Sequence, residues 1–363
     1  MAMKATKDSA NLDVLRAIAV MCVFFAHVLH FSRGGSFTEF QRHLGQLGVI
    51  MFFVHTSLVL MFSLERARLD GPALFFSFYT RRVFRIYPLS ILCVLCVYFI
   101  HYRPELPLLY ATWTHKEIFA NVTLTQNLLG VPDLLPVLWT LPLEVQMYIF
   151  LPFLFVAFRS RSIRPLLLLW LASIPAGILQ LHYMHRNLVT FVPCFLAGVI
   201  SWRLHAPQRD RLPGWLWPVC IALLSLIWFT GPVRYQMYFR WGFCLLLGLA
   251  IPFFVEISNR AVHMIASTIA KYSYGIYLTH TAAIVIGFSL LRNRFAEWSV
   301  AMALATALPL LMYHLVEHPG ILAGKTISNW LWEPAPRIPR VSLEEPIPPP
   351  DAALQRPQKA SNA

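Results

Sequence analysis

Charge is what this chain has least of. Asp, Glu, Lys and Arg make up 13% of its 363 residues, about half their share in soluble domains. With 57% of residues hydrophobic, too few polar side chains remain to coat a water-solvated globule, so a soluble fold is excluded. Acids are scarcer still, 17 Asp and Glu against 30 Lys and Arg, for a net charge of +13. A basic excess suits nucleic acid. Here the cations sit in short clusters between apolar runs, with no basic face and no binding motif, so no nucleic-acid partner is expected. Cysteine chemistry is lacking too. Cys22, Cys93, Cys96, Cys194, Cys220 and Cys244 all lie in apolar runs. The C-x-x-C of Cys93 and Cys96 has neither a second pair nor a nearby His to complete a site, so packing is expected and no metal. A secretory leader is not expected either, since MAMKATKDSAN is followed by an over-long apolar run without a cleavage site. Internal repeats of the kind found in secondary transporters are not evident.

Apolar runs, by contrast, are many. Residues 12–31, 44–64, 86–101, 139–158, 165–182, 187–203, 214–230, 241–257, 268–291 and 297–317 approach the length of about twenty residues that crosses a hydrocarbon core, the third and sixth being short. They predict an all-α, polytopic integral membrane protein of about ten transmembrane helices, with the lipid bilayer as its first partner. Lys and Arg concentrate in alternate connections, beginning with the amino terminus, so the positive-inside rule puts both termini in the cytoplasm. The longest connection, His101 to Leu138, then lies outside. Its polar residues, among them His115, Asn121, Gln126 and Asn127, suit a functional loop or a segment re-entering over a site. After Pro319 the pattern stops. Residues 1–320 read as one membrane domain, and 321–363 as a Pro-rich cytoplasmic tail expected to be disordered.

The first run, LDVLRAIAVMCVFFAHVLHF, carries Arg16 and His27. Ionisable groups in a membrane helix are costly and are usually kept for function. Eleven residues separate them by roughly 16 Å of helix, a cation near one membrane face and an imidazole deep toward the other. An imidazole can take a proton from an alcohol and return it, so His27 is the candidate general base. Glu144, in LWTLPLEVQMYIF, is expected at similar depth on a helix running the other way, where a carboxylate could orient and charge that imidazole. In TRRVFRIYP, Arg82 and Arg85 stand at i,i+3. They share a helical face at the expected cytoplasmic mouth of the third span and could grip a polyphosphate with Arg16. Glu317, in VEHP, is expected to pair with a cytoplasmic arginine. His280, in YSYGIYLTH, and Trp139, beside Glu144, are candidates for binding substrate, and His55 is a further mid-span candidate. A plainer reading competes at each position: a histidine satisfied by helix neighbours, or an arginine cluster meeting anionic lipid.

These segments resemble the membrane-bound acyltransferase family 3, which includes bacterial O-acetyltransferases of O-antigen, exopolysaccharide and Nod factors. LDVLRAIAVMCVFFAH, FFVHTSLVL, RRVFRIYP, LWTLPLEVQMY, YSYGIYLTH and LVEHPG carry the resemblance in family order, over about residues 12–320. Arg16 and His27 match its Arg-x10-His signature, and Arg82 and Arg85 its Arg-x-x-Arg. Val14, Thr56-Ser57 and Pro142 depart from its pattern. The resemblance implies acyl-CoA as donor, most simply acetyl-CoA, held by the arginines, with His27 essential. It implies an acceptor hydroxyl on a lipid-linked or exported glycan and a bacterial inner-membrane location. The expected function is O-acyl transfer to a cell-surface glycan. The alternative is a proton-coupled glycolipid transporter or flippase in which His27 and Glu144 relay protons; a membrane scaffold without catalysis is a third. The acyl group, the acceptor and the oligomeric state are not fixed by these residues.

Overall fold

A computed structural model of the chain describes residues 9–33, 37–100, 112–182, 187–205, 211–231, 235–290 and 293–332. Among them the backbone is helical, apart from one isolated parallel bridge between Leu212 and Phe254. The helices are α1 (Ala10–Arg33), α2 (Glu39–Ala67), α3 (Gly71–Phe99), α4 (His115–Val122), α5 (Gln126–Leu129), α6 (Leu141–Phe158) and α7 (Arg164–His182). They continue with α8 (Val192–Leu204), α9 (Leu216–Thr230), α10 (Gln236–Ala250), α11 (Arg260–Leu290), α12 (Arg294–Met312) and α13 (His318–Trp332). A 3₁₀ turn, Pro136–Thr140, leads into α6, and a π-helical turn, Tyr313–Glu317, joins α12 to α13.

Local chemistry sets the helix ends. Thr38 Oγ1 accepts from the Gln41 amide at 3.3 Å while Gln41 Oε1 accepts from the Thr38 amide at 2.8 Å, a capping box that opens α2. Arg68 closes it in the left-handed region at φ 52°. α3 then starts at Gly71 with a proline in its first turn, where the missing N–H costs nothing.

Among the described residues, seven helical stretches are long and apolar enough to cross a membrane: Ala10–Ser32, Glu39–Ala67, Gly71–Phe99, Pro136–Phe158, Arg164–Leu181, Gln236–Phe253 and Arg294–Trp332. That is fewer than the ten expected. At 13 and 15 residues, α8 and α9 are apolar but short. The 31-residue α11 mixes Lys271, Ser273, Tyr274 and His280 into its apolar run. Two boundaries also move. The third span, expected over 86–101, begins at Gly71, because Arg82 and Arg85 turn into the protein interior instead of ending the helix. The last helix does not stop near Pro319. α13 runs to Trp332, so the tail expected from 321 begins as helix, and its remainder, 333–363, lies outside the described residues. Arg81 and Ser77 of α3 hold α13 through Ser328 (3.0 and 2.8 Å), and Arg81 also reaches Asn329 at 2.9 Å.

α1 lies against α2 and α11, α2 also against α8, and α8 against α10. Lipid gives apolar helices little hydrophobic reason to associate, so small residues that admit close backbone contact matter most. A Cβ on Gly198 of α8 would overlap Ser57 Oγ and the Val54 carbonyl of α2, and one on Gly48 of α2 would overlap the Ala19 carbonyl of α1. On the periphery α7 exposes Leu168 and Leu171, and α12 exposes Leu311, side chains that a bilayer solvates.

α1 and α11 run parallel and share two polar rungs. Arg16 Nε donates to Ser273 Oγ at 2.6 Å. Further along both helices His27 meets His280, with 3.3 Å between Nδ1 and Nε2. Ser273 to His280 covers about 10 Å of helix.

Candidate active site

The first rung opens into a cavity bounded by α1, α2, α3, α6 and α11. Five residues singled out from four separate motifs meet in it: Arg16, His55, Arg82, Arg85 and Glu144. Arg82 and Arg85 both reach it because i,i+3 places them on one face of α3. Arg85 Nη2 stands 3.4 Å from Glu317 Oε1, whose side chain is fully buried. Glu317 thus pairs with an arginine as expected, but inside the fold, where the π-helical turn delivers it; such turns are frequent at functional sites. Tyr148 OH donates to Glu144 Oε2 at 3.0 Å. The Arg82 guanidinium lies 5.9 Å from the Phe78 ring centroid, and its buried Nε has no hydrogen-bond partner. Three guanidinium groups therefore face two carboxylates, Glu144 and Glu317. At least one cation in this low-dielectric interior has no carboxylate counterpart, so the side chains around the cavity carry an excess of positive charge.

The second rung holds no charge partner. His27 Nδ1 is 2.9 Å from the Val23 carbonyl, and His280 Nδ1 is 2.9 Å from the carbonyls of both Ile276 and Tyr277. A carbonyl only accepts, so both Nδ1 atoms carry the proton in the neutral rings, and His27 Nε2 is left with its lone pair free. Phe37 meets the His27 ring edge-on at 5.6 Å and stacks on His30 at 3.8 Å. Among the described residues no carboxylate pairs with His27.

Glu144 is not beside His27, contrary to the depth expected from sequence. That depth was counted from a helix starting at the membrane surface. Instead, Tyr277 OH donates to the Val137 carbonyl at 3.0 Å and lies 2.8 Å from Thr140 Oγ1. This pins the 3₁₀ turn to α11 three residues before His280, so Glu144, one turn further on, falls at the arginine end. The described part of the long connection folds inward with it. Asn121 takes the Leu134 amide at 2.9 Å, and Gln146 donates to Asn127 at 2.9 Å, so these polar residues hold the segment together and tie it to α6. Trp139 does not line the cavity; its ring packs on Phe191 at 5.8 Å. His280 abuts His27, and His55 faces the arginine cavity.

Sequence reasoning missed Tyr148, Ser273 and Tyr277. A signal existed for each: Tyr148 is i+4 from Glu144, and Ser273, Tyr277 and His280 form an i, i+4, i+7 polar stripe on an otherwise apolar helix. Among the described residues no group of three His, Cys, Asp or Glu side chains could hold a metal, and all six cysteines are free.

The family model described as "Acyltransferase domain" matches residues 9–314. A protein of Acidianus two-tailed virus named "Putative acetyltransferase ORF330" is 27% identical over 284 residues, covering 73% of this chain and 80% of that protein. No solved structure matches the chain. The family match takes in every helix that lines the two sites and ends within the π-helical turn, before Glu317. The chain belongs to the membrane-bound acyltransferase family 3 and carries its acyltransferase domain.

Proposed function

We propose that the chain is a membrane O-acyltransferase that moves an acyl group, most simply acetyl, from acyl-CoA to a hydroxyl of a cell-surface or exported glycan. The observation that carries this reading is the pairing on one helix of an anion cavity with spare guanidinium charge and, beyond it, a histidine with a free Nε2. The phosphates of the donor are the anions that Arg82, Arg85 and Arg16 suit. The donor's flexible arm then covers the roughly 10 Å along α11 from Ser273 to His280, bringing the thioester to His27. There the acceptor oxygen bonds to the acyl carbon as its proton passes to His27 Nε2. The carbon–sulfur bond breaks, and the same proton goes to the departing thiolate. Such general-base assistance contributes about 10²–10⁴-fold, with positioning supplying much of the rest.

The distribution of Lys and Arg supports an orientation with both termini in the cytoplasm, so that donor enters from the nucleotide-rich side, and the family resemblance supports a bacterial inner membrane. The transporter alternative relies on a relay between His27 and Glu144, which stand in separate sites. The test uses purified full-length protein, radiolabelled acetyl-CoA and a membrane glycan extract, wild type beside His27→Ala. Label in glycan from the wild type alone is the expected result. Equal labelling by the folded variant removes His27 from the mechanism.

A further inference from the structure

We propose that His280 is the positioning residue for His27. Its ring nitrogen holds the His27 imidazole in register and takes the place that a carboxylate occupies in a Ser-His-Asp triad. This role rests on the acyl-transfer reading given above. It is a different role from substrate binding, because His280 spends every polar atom on the protein.

The hydrogen bonds dictate the arrangement. His280 Nδ1 lies between two carbonyl oxygens of its own helix, Ile276 and Tyr277, each at 2.9 Å. In the neutral ring that nitrogen must be the donor, and Nε2 must then be an acceptor. The atom that Nε2 meets is His27 Nδ1, at 3.3 Å. The His27 Nδ1 proton is thus shared between the Val23 carbonyl and His280 Nε2. Two acceptors on one N–H hold the ring plane and leave His27 Nε2 as the one basic nitrogen of the pair free to meet a substrate. His280 is itself 1% exposed, with the Phe24 and Tyr277 rings against it at 6.2 Å. It does not leave this position without cavity formation.

A neutral acceptor has a chemical advantage at this depth. A carboxylate beside His27 would have to be stripped of water along with the imidazole, and its charge would favour the imidazolium that cannot act as base. The His280 lone pair asks for no buried charge at rest, yet it accepts the Nδ1 proton more strongly once the ring becomes cationic. The proton balance is unchanged. The acceptor hydroxyl proton goes to His27 Nε2 and then to the thiolate, and His280 gains and loses none.

The test compares wild type, His280→Asn and His280→Gln in the purified full-length protein. A glutamine carbonyl can stand near the position of Nε2 and accept from His27, whereas asparagine reaches only the position of Nδ1. His280→Asn is expected to lower kcat about 100-fold with the KM for acetyl-CoA within about twofold, and His280→Gln to recover most of that loss. Independently of turnover, protein labelled with ¹⁵N-histidine is expected to show nitrogen–nitrogen coupling across the His27–His280 hydrogen bond, absent in His280→Asn. Transfer by the wild type that a folded His280→Asn leaves at full kcat overturns the role of His280 alone. Equal loss of kcat in both variants without coupling in the wild type also overturns it. No transfer by the wild type from any acyl-CoA overturns instead the acyl-transfer reading beneath it, whatever the coupling shows.

Discussion

The two ends of α1 keep polar groups in a membrane interior by opposite means. Around Arg16 charge is gathered. Three guanidinium groups meet two carboxylates, with a neutral hydroxyl on Arg16 and a loose 3.4 Å ion pair between Arg85 and Glu317. Around His27 charge is avoided, and both imidazoles are tied down by backbone carbonyls and each other. An anion site must keep cationic charge in reserve and can tolerate it because a cavity stands ready for the ligand. A base must keep a lone pair in reserve, and a nearby carboxylate would favour the ring that is already protonated. The same helix serves both needs because each end recruits different neighbours.

The comparison breaks most sharply if the two ends respond alike to truncation. His27→Ala is expected to lower kcat for acyl transfer about 10³-fold with little change in the KM for acyl-CoA. Arg82→Ala is expected to do the reverse, raising that KM about 10- to 100-fold through loss of charged hydrogen bonds. Steady-state kinetics with both substrates varied separates the two patterns, and a large kcat effect from Arg82→Ala would erase the distinction between the ends. Next in size is Arg85→Ala, which strands Glu317 in the interior and should cost about 3–5 kcal/mol of stability, read as a lower unfolding midpoint. Arg85→Ala with Glu317→Leu should restore the midpoint but not the KM.

Tyr277 stands between the ends, with its hydroxyl on Val137 and Thr140 and its ring 6.1 Å from Phe52. Tyr277→Phe is expected to cost about 1 kcal/mol of stability and, by loosening the 3₁₀ turn, to lower kcat and raise KM by similar small factors. A change in only one constant would assign Tyr277 to one end. The smallest effect belongs to Ser273→Ala. It removes one hydrogen bond from a guanidinium that stays in place, for roughly a threefold rise in KM.

Much of this was legible in the sequence, because apolar runs separated by polar breaks report helices directly. Residue pairs on one helix were legible too: Arg16 with His27, and Arg82 with Arg85, fall where periodicity puts them. What the sequence could not convey was where a helix begins in depth. Glu144 looked level with His27 only until the Tyr277 hydroxyl fixed the 3₁₀ turn before α6 deeper in the bundle. The third helix was cut short for a related reason, since arginines read as a membrane boundary unless a cavity is known to receive them. Residues 321–332 read as tail because small residues make two of their contacts with α3, Ser328 on Ser77 and Gly324 against Phe84, which leave little trace in a sequence, while Trp332 stacks on Phe76.

The parallel pairing of α1 with α11 has a consequence for how this chain could change. Rungs at Arg16–Ser273 and His27–His280 make a caliper whose jaws stand about 16 Å apart along α1 and about 10 Å apart along α11. Inserting one residue between Arg16 and His27 would turn everything beyond it by about 100°, sending His27 away from His280 altogether. On the proposed function, the reach demanded of a donor is set by these two helices, and a lineage seeking donors of another length would have to rebuild both in step.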